Sequence, residues 1–240
     1  MIIGISGYVG NRLTGIGRVL INILSELAKQ YPEDKYVLFR NFDFKEYDNL
    51  TQYQNIEIVD VPYTKESGLK NILWHQWLFQ KLLKKYKCDI AYIPNFTLLL
   101  WKTIPTIVTI HDLIEYNVPD KFSKARMFYR KQVCDPLMAK KSNHILTVSK
   151  SSYKDIISYL GVKPSKLTLT LNATDRNVFK KYSKEKIIPA IKKYNLEYKK
   201  YLLFVGTIDF PGKNIKTIIE AFFNLRSKNE LNGIKGTSIN

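Results

Sequence analysis

The sequence predicts an α/β protein, a mainly parallel sheet covered by helices on both faces, followed by the start of a second α/β unit. Short apolar runs alternate with stretches of helical spacing from residue 2 to residue 172. The runs have the length of strands buried on both faces. Apolar residues make up 45% of the 240 residues, enough for a sizeable core. That composition excludes disordered, collagenous and disulfide-scaffold classes.

Residues 2–6, IIGIS, read as a buried strand. Residues 14–31 have helical spacing, with Ile16, Leu20, Ile23, Leu24 and Leu27 on one face. Strands are expected at 36–40 and 56–61, a long amphipathic helix at 69–86 and a strand at 89–94. TIVTIHDL, 106–113, is the clearest buried strand. A helix is expected at 123–141, a strand at 144–149 and a helix at 151–160, ended by Gly161 and Pro164. A strand at 166–172 completes a first domain over 1–175. Residues 176–200, crowded with lysine and containing Pro189, read as a linker with a short helix. A strand at 201–209 and a helix at 214–226 then give one βα unit of a second domain over 201–240. One such unit cannot bury its own faces, so the second domain is expected to be truncated.

Lysine and arginine number 38 against 21 acidic residues, a net charge of +17. That excess points to an anionic partner: a phosphorylated ligand, an acidic membrane surface or nucleic acid. Two cysteines, Cys88 and Cys134, and three histidines make a disulfide framework or structural zinc site improbable. No leader-like start and no apolar run of spanning length is present, so the expected compartment is cytoplasmic. The Asn-x-Thr triplets at Asn49, Asn95 and Asn172 then carry no glycosylation meaning.

Five constellations are candidates for chemistry. Gly7, Gly10, Gly15 and Gly17 surround the first strand-to-helix turn, with Arg18 beside them. Such glycines admit backbone N–H groups to a phosphate, or simply serve a flexible turn and close packing. His111-Asp112 lies at the carboxyl end of the best strand, the edge where open parallel sheets bind ligands. There the imidazole either meets a sugar or is satisfied within the fold. Ser149, before Lys150, Ser151 and Ser152, reads best as a helix N-cap. Gly206 with Lys213 and Asn214 either grips a pyrophosphate or forms a solvated turn. The helix carrying Trp74, His75, Trp77, Leu78, Phe79, Leu82 and Leu83, then Lys84, Lys85 and Lys87, reads as core before it reads as an anionic-membrane contact.

In order, TGIGRV, DIAYIPNF, TIVTIHDLIEYNVPDKF, NHILTVSKSSYKDI, LTLNATDRNVF and YLLFVGTIDFPGKNIKTIIEAF resemble glycosyltransferase family 4, the group 1 glycosyl transferases of GT-B fold. The resemblance runs from residue 1 to about residue 226. It is nearest in flavour to bacterial enzymes of O-antigen and capsule synthesis, often with mannose donors. It implies two Rossmann-like domains, the first taking a glycan or lipid-linked acceptor and the second most of a nucleotide-sugar donor. It further implies transfer with retention, typically without metal or cofactor. Gly15 and Gly17 match the glycine loop near the donor phosphates, where Arg18 adds charge. His111 matches the histidine at the reacting centre, and Lys213, with Asn214 beside it, the lysine that neutralises the diphosphate. Asp112, Ser149 and Asn172 fall in cleft-side segments.

The sequence departs from the family where Asn172-Ala173-Thr174-Asp175 replaces Asn-Gly-Val-Asp. It departs again where Phe210-Pro211-Gly212-Lys213-Asn214 replaces Pro-Arg-Lys-Asn. The family's Glu-x7-Glu segment would lie beyond residue 240. Enzyme activity of this chain therefore stays an open expectation beside an inactive remnant or accessory acceptor-domain protein. A nucleic-acid binder is a lower alternative, since no recognition motif accompanies the charge. A short-chain dehydrogenase is disfavoured because Gly7 and Gly15 are too far apart and Tyr159 and Lys163 straddle Gly161.

Overall fold

A computed structural model describes residues 1–8, 13–61, 68–174, 176, 178–206, 213–228, 230 and 233–239. The chain folds as two compact units, Met1–Asn117 with Phe122–Asn172, and Val118–Lys121 with Ala173–Asn240.

The first unit is built on strands β1 (Ile2–Gly7), β2 (Lys35–Arg40), β3 (Ile56–Asp60), β4 (Ile90–Ile93), β5 (Thr106–Thr109), β6 (His144–Thr147) and β7 (Leu167–Leu169). Among the described residues they form one sheet in the order β3-β2-β1-β4-β5-β6-β7, with every pairing parallel. Helix α1 is Gly15–Gln30, and α2 runs over 68–85 with a π-helical stretch at Trp74–Leu78. Helix α3 is Ile114–Asn117, α4 runs over 124–141 with a π-helical stretch at Tyr129–Cys134, and α5 is Lys150–Leu160.

Strand β2 shows why both faces are covered. Tyr36 and Leu38 pack with Leu20 and Leu24 of α1, while Val37 and Phe39 pack with Trp74, Phe79 and Leu83 of α2. Alternate residues point to opposite faces, so an unbroken apolar strand requires a layer on each side. Helix α2 lies close to the sheet because β1 offers Gly4. A Cβ there would meet Leu83 Cδ2 at 2.3 Å and Cys88 Sγ at 2.8 Å.

Three expectations are corrected. The strand expected over 106–113 stops at Thr109. Ile110 still donates to Leu146 O at 2.9 Å, but the chain then turns into α3, with Asp112 Oδ1 accepting from Ile114 N at 3.3 Å. The buried face of α1 centres on Gly17, Leu20, Ile21, Leu24 and Ala28, because small residues at 17 and 28 let the helix lie near the sheet. The 3-10 turn Lys45–Leu50 and helix α3 were not expected from periodicity. The Trp-rich stripe of α2 is core, with Trp74, His75, Phe79 and Leu83 fully buried.

The second unit contains α6 (Lys184–Lys192), β8 (Tyr201–Val205), α7 (Ile215–Ser227) and β9 (Lys235–Ile239). Strands β8 and β9 pair in parallel, so the expected βα unit is a βαβ unit. Strand β9 escaped the sequence reading because Gly236, Thr237 and Ser238 give it little apolar pattern. Leu202, Leu203 and Val205 of β8 and Ile218, Ile219 and Phe223 of α7 are exposed. No described helix is long and apolar enough to cross a membrane.

Candidate active site

Parallel strands share one carboxyl edge, and the chain order reverses between β1 and β4. The loops that leave two such neighbouring strands diverge and open a crevice, the usual ligand position in an open α/β sheet. A cleft of about 620 Å³ lies there. Tyr8 follows β1 into it, and residues 95–98 follow β4. Ile16 of α1, Gly68, Asn71 and Ile72 of α2, and Arg126, Tyr129 and Arg130 of α4 complete the lining.

One wall presents amides. Asn95 is 9% exposed, and its Nδ2 donates to the Tyr8 carbonyl. A carbonyl can only accept, so this bond fixes the amide orientation. It leaves Oδ1 as a buried acceptor with no hydrogen-bond partner among the described residues. Asn71 Oδ1 accepts from Thr97 Oγ1 at 2.8 Å. Behind Asn71 stands a buried relay. Trp74 Nε1 donates to Ser6 Oγ at 3.2 Å, Ser6 Oγ donates to His75 Nε2 at 3.0 Å, and His75 Nδ1 donates to the Asn71 carbonyl at 2.9 Å. Burial pushes His75 down to about 4, so the ring is neutral at pH 7, as this donor order requires.

The opposite wall is cationic. Arg130 Nε donates to Glu115 Oε1 at 2.8 Å, and the guanidinium lies 3.7 Å from the Phe96 ring centroid. Arg126 lies 4.2 Å from the centroid of Phe122. Glu115 and Asp135 are buried beneath Arg130. Burial first, then the neighbouring Glu115 carboxylate, push Asp135 up to about 9. Asp135 therefore keeps its proton at neutral pH. Burial opposes ionisation of Glu115, but the neighbouring Asp135 carboxyl, the hydrogen bond from Arg130 and the Arg130 charge outweigh it and hold Glu115 below its ordinary value. The cluster thus carries one negative charge against one guanidinium, a balance that burial demands.

His111, Asp112, Ser149 and Asn172, singled out in the sequence, do not line this cleft. His111 and Asp112 follow β5, Ser149 follows β6 and Asn172 follows β7, so three neighbouring strands deliver them to the same sheet edge. His111 Nε2 donates to the Pro94 carbonyl at 2.9 Å, which ties the ring to the segment that forms the cleft wall. Ser152 Oγ donates to the His111 carbonyl at 2.8 Å. Ser149 Oγ accepts from Ser152 N at 3.0 Å, an N-cap. Asn172 is exposed.

Gly15 opens α1, and a Cβ added there would meet nothing within 4 Å, whereas Gly17 is buried. Arg18 is exposed and 3.7 Å from Glu46. In the second unit, Gly206 has φ +147°, and the Lys213 amine lies 3.0 Å from where a Cβ would stand. Lys213 thus folds back over the end of β8. Asn214, at φ +46°, precedes α7 and accepts from Thr217 Oγ1 at 2.8 Å. Gly10, Asp175 and residues 210–212 lie outside the described residues.

The sequence reading did not single out Asn71, Arg126, Tyr129 or Arg130. The signal for Asn95 existed, because it follows an expected strand directly. Nothing local marked the arginines, which reach the cleft only because α4 packs beside the end of β4.

The profile of glycosyltransferase family 4 matches residues 13–178. The O-antigen chain mannosyltransferase B of Escherichia coli is 27% identical over 223 residues, 88% of this chain and 56% of that protein. The chain thus spans little more than half the length of that curated relative. Anabaena HepE, solved with UDP and glucose, superposes with a TM-score of 0.60 at 15% identity, over 100% of this chain and 70% of HepE. WaaG, a glycosyltransferase involved in lipopolysaccharide biosynthesis, gives 0.65 at 14% identity, over 99% of this chain and 70% of WaaG. The α/β architecture is of the GT-B type, and the chain belongs to glycosyltransferase family 4.

Proposed function

We propose that the protein transfers a sugar from a nucleotide-sugar to a glycan or lipid-linked acceptor in cell-surface polysaccharide assembly, with retention and without a metal ion or cofactor. The cleft at the β1/β4 reversal carries this reading. Amides at Asn71 and Asn95, the Tyr129 ring and two arginines form a set suited to hydroxyl groups and an anion. Family membership and the UDP and glucose held by HepE support the donor class. The E. coli relative supports a mannosyl donor and an O-antigen-type acceptor. We place the protein on the cytoplasmic side, peripheral to an anionic membrane.

In this reading the cleft of the first unit takes the acceptor. His111 meets the donor sugar at the reacting carbon, with Asp112, Ser149 and Asn172 lining its surroundings. Gly15, Gly17 and Arg18 face the donor phosphates. Lys213 and Asn214 hold the diphosphate, whose negative charge grows as the glycosidic bond breaks, so a fixed cation stabilises the transition state more than the ground state.

The test is transfer by the full chain from a panel of UDP-, GDP- and TDP-sugars to lipid-linked oligosaccharide, with and without EDTA. The expected product keeps the donor's anomeric configuration and forms equally well with EDTA. Absence of transfer and of binding for every donor would reject the reading.

A further inference from the structure

The two amides of the cleft wall have opposite polarity, and each polarity is fixed from within the fold. Asn95 spends an N–H on the Tyr8 carbonyl. It keeps Oδ1, an acceptor shielded from water and without a donor among the described residues. Such an acceptor is costly until a proton is offered to it. Asn71 is the reverse. Its Oδ1 accepts from Thr97 Oγ1 at 2.8 Å and from His75 Nδ1 at 3.2 Å. It keeps Nδ2, from which no described residue accepts, and it lines the cleft.

The Asn71 polarity is set by a chain of hydrogen bonds that runs in one direction. Trp74 Nε1 can only donate, and the Asn71 carbonyl, 2.9 Å from His75 Nδ1, can only accept. Between these ends Ser6 Oγ stands 3.2 Å from Trp74 Nε1 and 3.0 Å from His75 Nε2. The protons therefore point from Trp74 to Ser6, from Ser6 to His75 and from His75 Nδ1 to Asn71. An N–H at Nδ1 requires an oxygen opposite it, so the Asn71 amide cannot turn over.

Local helix geometry makes this chain possible. Trp74, His75 and Gln76 are consecutive and all buried. A regular α-helix turns about 100° per residue and would carry one of them outward. The π-helical stretch Trp74–Leu78 widens the turn and keeps all three inward. Gln76 Nε2 donates to Leu98 O at 2.7 Å, so the same stretch also holds the loop that brings Thr97 to Asn71.

A free N–H and a bare acceptor on one wall match a hydroxyl, which accepts through its oxygen and donates its single proton. A phosphate or carboxylate has no proton for Asn95 Oδ1 and belongs with the arginines opposite. We infer that Asn71 and Asn95 are specificity-determining residues that select the acceptor sugar by one hydroxyl, with Ser6 and His75 as positioning residues that lock the Asn71 amide. The hydroxyl accepts from Asn71 Nδ2 and donates to Asn95 Oδ1. An amide oxygen is too weak a base to remove that proton, so this hydroxyl is recognised and another one attacks. The inference rests on the reading that the cleft takes the acceptor.

The experiment titrates the full, 15N-labelled chain, without donor, with methyl glycosides of mannose, galactose and N-acetylglucosamine. The side-chain amide signals of Asn71 and Asn95 report binding. Each glycoside is compared with its monodeoxy analogues, which lack one hydroxyl, and its mono-O-methyl analogues, which keep the oxygen but lose the proton. At one position both analogues are expected to bind roughly tenfold or more weakly than the parent. Asn71→Asp keeps Oδ1 for Thr97 and His75 but loses the N–H groups, and is expected to erase that preference. Inorganic phosphate should leave the Asn71 signals in place.

Ser6→Ala touches no ligand. It is expected to weaken the parent glycoside and leave the deoxy analogue unchanged, a split that general loosening of the fold does not produce. The histidine ring spectrum of the unaltered chain tests the same relay without a variant, and the His75 proton is expected on Nδ1. A proton on Nε2, equal weakening of parent and deoxy analogue by folded Ser6→Ala, or phosphate competing at Asn71 would overturn the inference. So would glycosides that move the cleft amides with no position mattering, which leaves the acceptor reading standing. If no glycoside moves these amides, the acceptor reading falls and the inference with it.

Discussion

His111 Nε2 donates to the Pro94 carbonyl oxygen at 2.9 Å. Nε2 therefore carries a proton, and in the neutral ring Nδ1 keeps the lone pair. His111→Ala is predicted to lower kcat about 100-fold or more if the ring meets the donor sugar. Loss of the Pro94 bond alone should cost about 1 kcal/mol of stability. Steady-state transfer and urea unfolding measure the two effects separately. An unchanged kcat would remove His111 from the reacting centre.

Lys213 lies over Gly206 at the end of β8. Lys213→Gln keeps a polar side chain but removes the charge. It is expected to reduce kcat by about 100-fold while changing stability by less than about 0.5 kcal/mol, because the residue is exposed. Donor titration by calorimetry, alongside turnover, gives the split between binding and catalysis.

The Glu115–Asp135 pair makes stability depend on pH. Asp135 rises from 3.8 to about 9 on folding. Its contribution is whole below its unfolded value and is lost as pH climbs through the folded one. Glu115 is lowered from 4.5, so its contribution is present above that value and lost as pH falls. Between about pH 5 and 9 the native pair keeps one proton that the unfolded chain releases, so stability falls with pH by up to about 1.4 kcal/mol per unit.

Among the groups that face the pair, Arg130 favours the ionised carboxylates and Asp112 opposes ionisation of Asp135. Burial raises Tyr116 and Cys134 to about 12 and raises Tyr129 as well, so these stay protonated through the window. Asp135→Asn is expected to flatten the slope in urea midpoints taken across that range. An equally steep slope in the variant would place the proton elsewhere.

Asn95 joins the loop after β4 to the end of β1 through its bond to the Tyr8 carbonyl. Asn95→Ala removes that bond and is expected to cost about 0.5–1.5 kcal/mol. The cost should appear as a lower urea midpoint with an unchanged slope. In transfer assays the same variant should raise the acceptor KM more than it lowers kcat, since Oδ1 offers a spare acceptor at the cleft.

Two glycines separate packing from function. Gly4→Ala forces a Cβ to 2.3 Å from Leu83 Cδ2 and is expected to destabilise by about 1–3 kcal/mol. Gly15→Ala meets nothing within 4 Å and should be neutral or stabilising by up to about 1 kcal/mol. If Gly15 admits backbone to the donor phosphates, transfer by Gly15→Ala should fall although its thermal midpoint does not. An unaltered transfer rate would leave Gly15 as a helix start only.

The sequence by itself determined the alternation of elements, because apolar runs such as YVLFR and the 3.6-residue spacing of α1 have no other way to bury their faces. It also determined the family, since motifs such as TGIGRV and NHILTVSKSS keep their order along the chain. Tertiary structure alone decided the strand order, and with it the reversal between β1 and β4 that opens the cleft. It decided that α4 brings Arg126 and Arg130 to that cleft, a meeting of residues far along the chain from Asn95 that no local pattern encodes. It likewise decided that Gln76 and Gln80 spend their amides inside the fold, so that Trp101 stands outside beside Trp77. Periodicity reads which side of one element is apolar; which polar groups satisfy one another depends on distances between elements, and only the packed chain sets those.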